Sequence, residues 1–230
     1  MARDAGAFMV ELDVHQSTDG ELFVFHDHTL ERLCGEALPV HSFSWEEISA
    51  RVLGHWQGQT LKIPRLAEVF ATLQRSLCYN VELKTDTVAY PGIEARLAAL
   101  VRACGLAERV LVSSFHHDSL RLVRQEDSHI PLGLLLDLEQ AQHFVSPSAI
   151  VSRAQELQCF SVHPDFHLLG QWPELVTTCH AANLRVFPWT VDSPADWQLL
   201  IHVQHVDGIM TNDPGRLYEW LLTQPSLKTD

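Results

Sequence analysis

Short apolar runs alternate with helical segments along this chain, and this alternation restricts its fold more than any other feature. The predicted strands are residues 8–14, 79–84, 110–114, 132–136, 159–162, 185–190 and 207–211. Strands that are nearly continuous in apolar residues, with helices between them, indicate a parallel sheet covered by helices. The sequence therefore predicts an α/β protein, either a closed (β/α) barrel or a large open sheet.

The segments between these strands have the pattern of helices. The predicted helices are residues 66–75, 92–103, 117–126, 148–157, 173–182, 194–202 and 214–222. Two of them begin with Ser193-Pro194 and Asp213-Pro214, and a polar residue followed by proline is typical of a helix start. Because no linker or change of composition interrupts the 230 residues, we expect a single domain spanning residues 1–230.

Polar or aromatic residues stand at or just beyond the end of most predicted strands. They are Glu11, Asp13, Glu82, Lys84, Ser113, Ser114, Asp137, His163, Trp189, Asp192, Asn212 and Asp213. Barrel enzymes build their sites at this end of the strands. Strands also leave the core here, so one polar residue alone indicates little. Two strands, however, carry charged residues two positions apart, and this repetition favours the barrel.

Residues 10–27 join two carboxylates to a histidine. Glu11 and Asp13 are two positions apart in a strand, so their side chains point to the same face. A turn at residues 18–20 reverses the chain, and the apolar run 22–25 then leads to His26 and Asp27. Glu82 and Lys84 repeat the two-residue spacing on a later strand.

These residue types suit a metal site that handles phosphate. Three converging carboxylates, Glu11, Asp13 and Glu82, would repel one another without a cation, and hard divalent cations take oxygen ligands. Lys84 can contact a phosphate group, and His26 can transfer a proton. Taken singly, each residue is more often a solvated or structural group, so the prediction rests on their combination.

Net charge and cysteine content exclude several classes of partner. The net charge of −13 argues against nucleic acid, because phosphate backbones are bound by clustered Lys and Arg. The five cysteines are far apart and form no C-x-x-C pair, which argues against zinc or disulfides and suits a reducing, cytoplasmic setting. No apolar run approaches the roughly 18 residues of a membrane helix, so stable membrane insertion is not expected.

The motifs, taken together, resemble the glycerophosphodiester phosphodiesterase family. The resemblance extends from about residue 8 to residue 222 through VELDVHQSTDGELFVFHDHTLER, IPRLAEVF, NVELK, VLVSSF, VHPDFHLL, VFPWTVD and DGIMTNDPGRL. It implies a (β/α)8 TIM barrel that hydrolyses small glycerophosphodiesters to sn-glycerol 3-phosphate and an alcohol. It also implies a divalent cation, Mg²⁺ or Ca²⁺, and a small insertion at about residues 28–61 beside the mouth of the barrel.

The resemblance also implies roles for individual residues. Glu11, Asp13 and Glu82 match the metal ligands of the family. His26 matches one of its two catalytic histidines, and Lys84 matches a lysine at the site. Trp189 matches the aromatic residue near the glycerol end of the substrate.

One part of the family pattern does not occur in this sequence. The family begins with a strand that carries His-Arg-Gly, and these 230 residues contain no such tripeptide. We therefore expect the first β/α unit, one catalytic histidine and a phosphate-binding arginine to be missing, and activity to be impaired. Unpaired edges at residues 8–14 and 207–211 would then favour a homo-oligomer.

Two alternative functions remain at this stage. A non-catalytic metal-binding pseudoenzyme or truncated isoform fits the missing His-Arg-Gly, but not the retained Glu11, Asp13, Glu82 and His26. A related barrel enzyme, such as a phosphoinositide-type phospholipase, would need a basic or amphipathic surface for the membrane, and we find none in the sequence. The leading hypothesis is therefore the glycerophosphodiesterase.

Overall fold

The computed structural model describes residues 2–224, which divide into two compact units. The first unit is Glu11–Ile130, and the second consists of residues 2–10 and 131–224. Each unit is α/β, as predicted. The prediction of one domain spanning the whole chain stays a prediction.

The strands of the first unit begin with the one that carries the candidate acids. They are β1 Met9–Gln16, β2 Leu22–Val24, β3 Thr29–Leu30, β4 Glu36–Pro39, β5 Val52–Trp56, β6 Gln59–Lys62, β7 Cys78–Leu83 and β8 Val110–Ser114. Four of them follow the order β8–β7–β1–β2 in one sheet, where β7 and β8 are parallel and β1 and β2 are antiparallel. β7 and β8 are buried at every position, as strands covered on both faces must be.

The helices of this unit lie between those strands. They are α1 Glu31–Cys34, α2 Trp45–Ala50, α3 Leu66–Leu73, α4 Ile93–Ala103 and α5 His117–Glu126, with a short 3₁₀ turn at Val40–Ser42. The predicted helix 117–126 is confirmed to the residue, and α3 and α4 agree with prediction within two residues.

Within the predicted insertion, residues 29–62 form two small antiparallel pairs, β3–β4 and β5–β6. A buried cluster joins this segment to the β2 region. It contains Phe23, Phe25, Leu30, Val40, Ile48 and Ile63. The apolar residues around the His26–Asp27 turn are therefore fixed by packing.

The second unit repeats the strand–helix alternation. Its strands are β9 Leu132–Leu136, β10 Ser161–Pro164 and β11 Arg185–Val186, all parallel in the order β9–β10–β11. Its helices are α6 Leu138–Ala141, α7 Pro147–Glu156, α8 Leu168–Gln171, α9 Leu175–Ala181, α10 Pro194–Gln198 and α11 Pro214–Thr223, with a 3₁₀ turn at Arg3–Ala5 and a π turn at Leu199–Val203.

Two strand predictions in this unit were wrong in extent or kind. The predicted strand 185–190 ends at Val186, and Pro188 beyond it has no N–H for a ladder. Residues 207–211 form no strand, although the backbone N–H of Asp207 donates to Val186 O at 3.1 Å. The Asp207 carboxylate accepts from Val186 N at 2.8 Å, so a side chain replaces part of the expected backbone pairing.

Among the described residues, no helix has both the length and the apolar character needed to cross a bilayer.

Candidate active site

Two neighbouring strands of the first unit bring the three predicted acids together. Glu11 and Asp13 lie on β1, and Glu82 lies on β7 beside it. One carboxylate oxygen from each residue lies within 4.8 Å of the others. The convergence expected from the two-residue spacing is therefore present, and we call these three residues the acidic cluster.

Lys84 follows the end of β7 and enters the acidic cluster. Its Nζ lies 2.9 Å from Glu82 Oε1 and 3.3 Å from Asp13 Oδ1, and its side chain is only 9% exposed. Burial lowers the pKa of Lys84, but the carboxylates of Glu82 and Asp13 outweigh burial and raise it. The lysine is therefore charged and neutralises part of the cluster.

The remaining negative charge perturbs the carboxyl groups. Burial raises the pKa of Glu82 to about 7; Lys84 opposes the rise, and Asp13 adds to it. Burial of its carboxyl and repulsion from Asp13 and Glu82 also raise the pKa of Glu11. Glu11 is exposed as a whole residue, so water weakens the effect of burial, and repulsion from Asp13 and Glu82 raises the pKa. Such repulsion indicates a cluster that is short of positive charge and suited to a cation.

His26 lies in the turn after β2, at the surface. Its Nδ1 is 2.7 Å from Asp27 Oδ1, and its side chain is 69% exposed. Arg32 donates to both oxygens of Asp27, at 2.7 and 3.0 Å. With Nδ1–H held by the anchored carboxylate, Nε2 is the nitrogen left to exchange a proton with solvent or substrate.

Several neighbouring polar residues were not assigned to the site from the sequence. His28 lies 3.6 Å from Asp86, and its Nε2 is 2.8 Å from the hydroxyl of Thr87. His15 is fully buried, and its Nδ1 lies 2.7 Å from Tyr90 Oη. The only signal in the sequence was the position of His15, two residues after Asp13 on the same strand face.

Burial, with His28 and Lys84 adding to it, lowers the pKa of His15 to about 3. His15 is therefore neutral near pH 7. It is not a replacement for a proton-transferring histidine.

Trp189 belongs to the second unit, where its backbone follows β11. Its Nε1 donates to His163 O at 2.8 Å, and its backbone oxygen accepts from Phe166 N at 3.0 Å. These bonds hold the indole in one orientation. Its assignment to the glycerol end of a substrate stays a prediction.

Comparison with known proteins places this geometry in a family. Residues 1–216 match the Glycerophosphoryl diester phosphodiesterase family. A glycerophosphodiester phosphodiesterase of Caldanaerobacter subterraneus subsp. tengcongensis is 37% identical over 220 residues, which are 94% of this chain and 86% of that protein.

Solved structures show the same fold. A putative glycerophosphoryl diester phosphodiesterase from Silicibacter pomeroyi has a TM-score of 0.79 at 26% identity, covering 95% of this chain and 84% of that one. An Oleispira antarctica phosphodiesterase in complex with the product sn-glycerol-3-phosphate has a TM-score of 0.76 at 24% identity. The match covers 96% of this chain and 87% of that one.

These neighbours confirm the predicted fold class, the α/β TIM-barrel type of the glycerophosphodiesterases. The matched family and the named relatives also confirm the predicted type of reaction, hydrolysis of glycerophosphodiesters. The chain belongs to the glycerophosphoryl diester phosphodiesterase family of enzymes.

Proposed function

We propose that this chain hydrolyses a small glycerophosphodiester to sn-glycerol 3-phosphate and an alcohol with Mg²⁺ or Ca²⁺ held by the acidic cluster. The observation that carries the proposal is the convergence of Glu11, Asp13 and Glu82 within 4.8 Å, with Lys84 offsetting part of their charge. A hard divalent cation takes such carboxylate oxygens and relieves their repulsion. The product bound to the Oleispira antarctica neighbour is in keeping with a glycerophosphate ligand.

The residues of the chain then have distinct tasks. A bound cation would polarise a phosphoryl oxygen and offset the charge that develops on it. Lys84 contributes a second positive charge for the phosphate. His26 moves a proton through Nε2 while Asp27 holds its other nitrogen. By the family resemblance, we assign Trp189 to the glycerol end of the substrate.

Hydrolysis adds water across one P–O bond. A new oxygen joins phosphorus, the bond to the alcohol oxygen breaks, and a proton ends on that oxygen. The attacking group is either water or, in a first step, the glycerol hydroxyl, which would form a cyclic phosphate that water then opens. In either route, we assign proton transfer at the alcohol or the attacking oxygen to His26.

We also propose that a polypeptide of these 230 residues turns over slowly. His-Arg-Gly is absent from it, so by the family resemblance it lacks a second proton-transferring histidine and an arginine for the phosphate. The loss of one proton-transfer group costs about 10²–10⁴-fold in rate. Pairing of copies through sheet edges stays a prediction for the same polypeptide.

The activity test uses glycerophosphocholine as the substrate and release of sn-glycerol 3-phosphate as the signal. We expect slow release that requires Mg²⁺ or Ca²⁺, stops with EDTA and falls at least about 10-fold in Glu82→Gln. Glu94→Gln is the matched control, because Glu94 is also a buried glutamate but accepts a hydrogen bond from Ser119 on α5. Hydrolysis that EDTA and Glu82→Gln both leave unchanged would contradict the proposal.

The alternative function is cation binding without turnover, as in a pseudoenzyme. The absence of His-Arg-Gly from the sequence is the observation that favours it. Saturable cation binding with no product above the uncatalysed rate would establish this alternative. Release of product that depends on His26 would exclude it.

A further inference from the structure

Two buried polar side chains near the acidic cluster have no partner within the part of the chain that the structure describes. Asn80 is 1% exposed, and neither its Oδ1 nor its Nδ2 has a hydrogen-bond partner. Ser113 is fully buried, and its Oγ is likewise unpaired. Buried polar groups in folded proteins nearly always have a partner, so both side chains point to a polar ligand.

The strand register places both side chains on the same face as Glu82. Asn80 and Glu82 are two residues apart on β7, and Ser113 on β8 is the register partner of Glu82. Strand spacing and rise put the Cα atoms of Asn80 and Ser113 about 8 Å apart. The structure shows no bond between the two side chains, and at this separation a single water can bridge their polar atoms.

The neighbouring serine on β8 has the partners that Ser113 lacks. Ser114, which points to the other side of β8, donates to Leu83 O at 2.9 Å and accepts from His116 N at 3.1 Å. A buried serine on β8 can thus be satisfied by the protein alone, whereas Ser113, on the face of the acidic cluster, is not satisfied within the described residues.

The Glu82 carboxylate has two oxygens, and Lys84 donates to one of them, Oε1. This contact, at 2.9 Å, lies on the side of the strand end. A serine hydroxyl and an asparagine amide are both donors, and a water between them can donate to the carboxylate in turn. A hydrogen bond to a carboxylate that binds a metal fixes the orientation of that carboxylate and increases the affinity for the metal.

We propose that Asn80 and Ser113 are positioning residues that bind a water and, through it, hold the Glu82 carboxylate in place for the cation. This inference rests on the proposed function, because it assigns the two residues to the same cation site. They do not contact the substrate.

Calorimetric titration with CaCl₂ or MgCl₂ tests the inference on the whole chain. Ser113→Ala removes the hydroxyl, and Asn80→Leu removes both polar atoms at similar size. We expect each to weaken cation affinity about 10-fold or more, while Ser113→Thr, which keeps the hydroxyl, binds nearly as wild type does. Without the cation, Asn80→Leu should keep a cooperative thermal transition close to that of wild type, because leucine fills a similar volume.

Ser161→Ala is the matched control for loss of a buried serine hydroxyl. Ser161 Oγ lies 2.7 Å from His163 Nε2, so this variant should lower the thermal midpoint and leave cation affinity unchanged. If Ser113→Ala does not fold, Asn80→Leu decides the question.

The results separate the two proposals. If wild type shows no saturable binding, the proposed cation site fails. If wild type binds and Glu82→Gln does not, yet Ser113→Ala and Asn80→Leu bind as tightly as wild type, only the positioning role is overturned.

Discussion

At the scale of single residues, Lys84 shows what the sequence predicts and what it leaves out. The two-residue spacing places Lys84 on the same face as Glu82, and this much follows from strand geometry. Its second partner, Asp13, lies 71 positions earlier in the chain, at 3.3 Å. Pairing over such a separation depends on which strands become neighbours. A local pattern does not contain that information.

His163 is a second residue whose surroundings the sequence did not reveal. It was predicted only as a polar residue at a strand end, whereas the structure buries it completely on β10. Its Nε2 lies 2.7 Å from Ser161 Oγ. Burial lowers the pKa of His163 from its usual 6.5 to about 3.

This burial predicts a specific loss of stability in acid. Between about pH 6.5 and pH 3 the unfolded imidazole binds a proton that the folded one does not, so falling pH favours unfolding, by up to about 1.4 kcal/mol per pH unit. Urea unfolding at pH 7, 6, 5 and 4 should show a shallower decline in His163→Asn than in wild type. His55→Asn, at an exposed position on β5, should decline as wild type does. Equal slopes for wild type and His163→Asn would refute the assignment.

At the scale of elements, strands were predicted well where they are buried and apolar. β8 and β9 agree to the residue with their predicted ranges, since continuous apolar runs leave little freedom. The strand predicted at residues 207–211 does not form, and the cause is local. The Asp207 side chain accepts the hydrogen bond from Val186 N–H that a strand backbone would otherwise accept. Competition by a side chain is not visible in hydrophobic pattern alone.

The packing of β9 against β10 gives a prediction at this scale. A Cβ on Gly133 would lie 2.5 Å from His163 Cε1, so glycine is required where the ring crosses β9. Gly133→Ala should lower the free energy of unfolding by about 1–3 kcal/mol, because the ring must shift from its bond with Ser161. Thermal or urea unfolding measures this loss.

Gly170→Ala is the matched control for that variant. Gly170 lies in α8, and an added Cβ there meets no atom within 4 Å. Because alanine favours the helix, this variant should be as stable as wild type or more stable, by up to about 1 kcal/mol. Equal stability of Gly133→Ala and wild type would show that the ring is not held against β9.

At the scale of the whole molecule, the sequence predicted the fold class and the family. The alternation of strands and helices indicated α/β, and the motifs in their order indicated the glycerophosphodiesterases, which the family match over residues 1–216 confirms. The acids of the candidate site were also predictable. Glu11, Asp13 and Glu82 lie on strands, and side chains in a strand alternate between its two faces every two residues. Asn80 was missed, and Ser113 was predicted only as a polar residue at a strand end, because an unpaired buried polar group can be recognised only after the structure is known.

The acidic cluster, as proposed, binds one divalent cation. Calorimetric titration of CaCl₂ and MgCl₂ into wild type and Asp13→Asn tests it most directly, with Glu94→Gln as the control for a buried carboxylate outside the cluster. We predict saturable binding of one cation per chain in wild type and Glu94→Gln. In Asp13→Asn, affinity should be weaker by at least about 10-fold. Absence of saturable binding in wild type, or equal affinity in Asp13→Asn, would contradict the account.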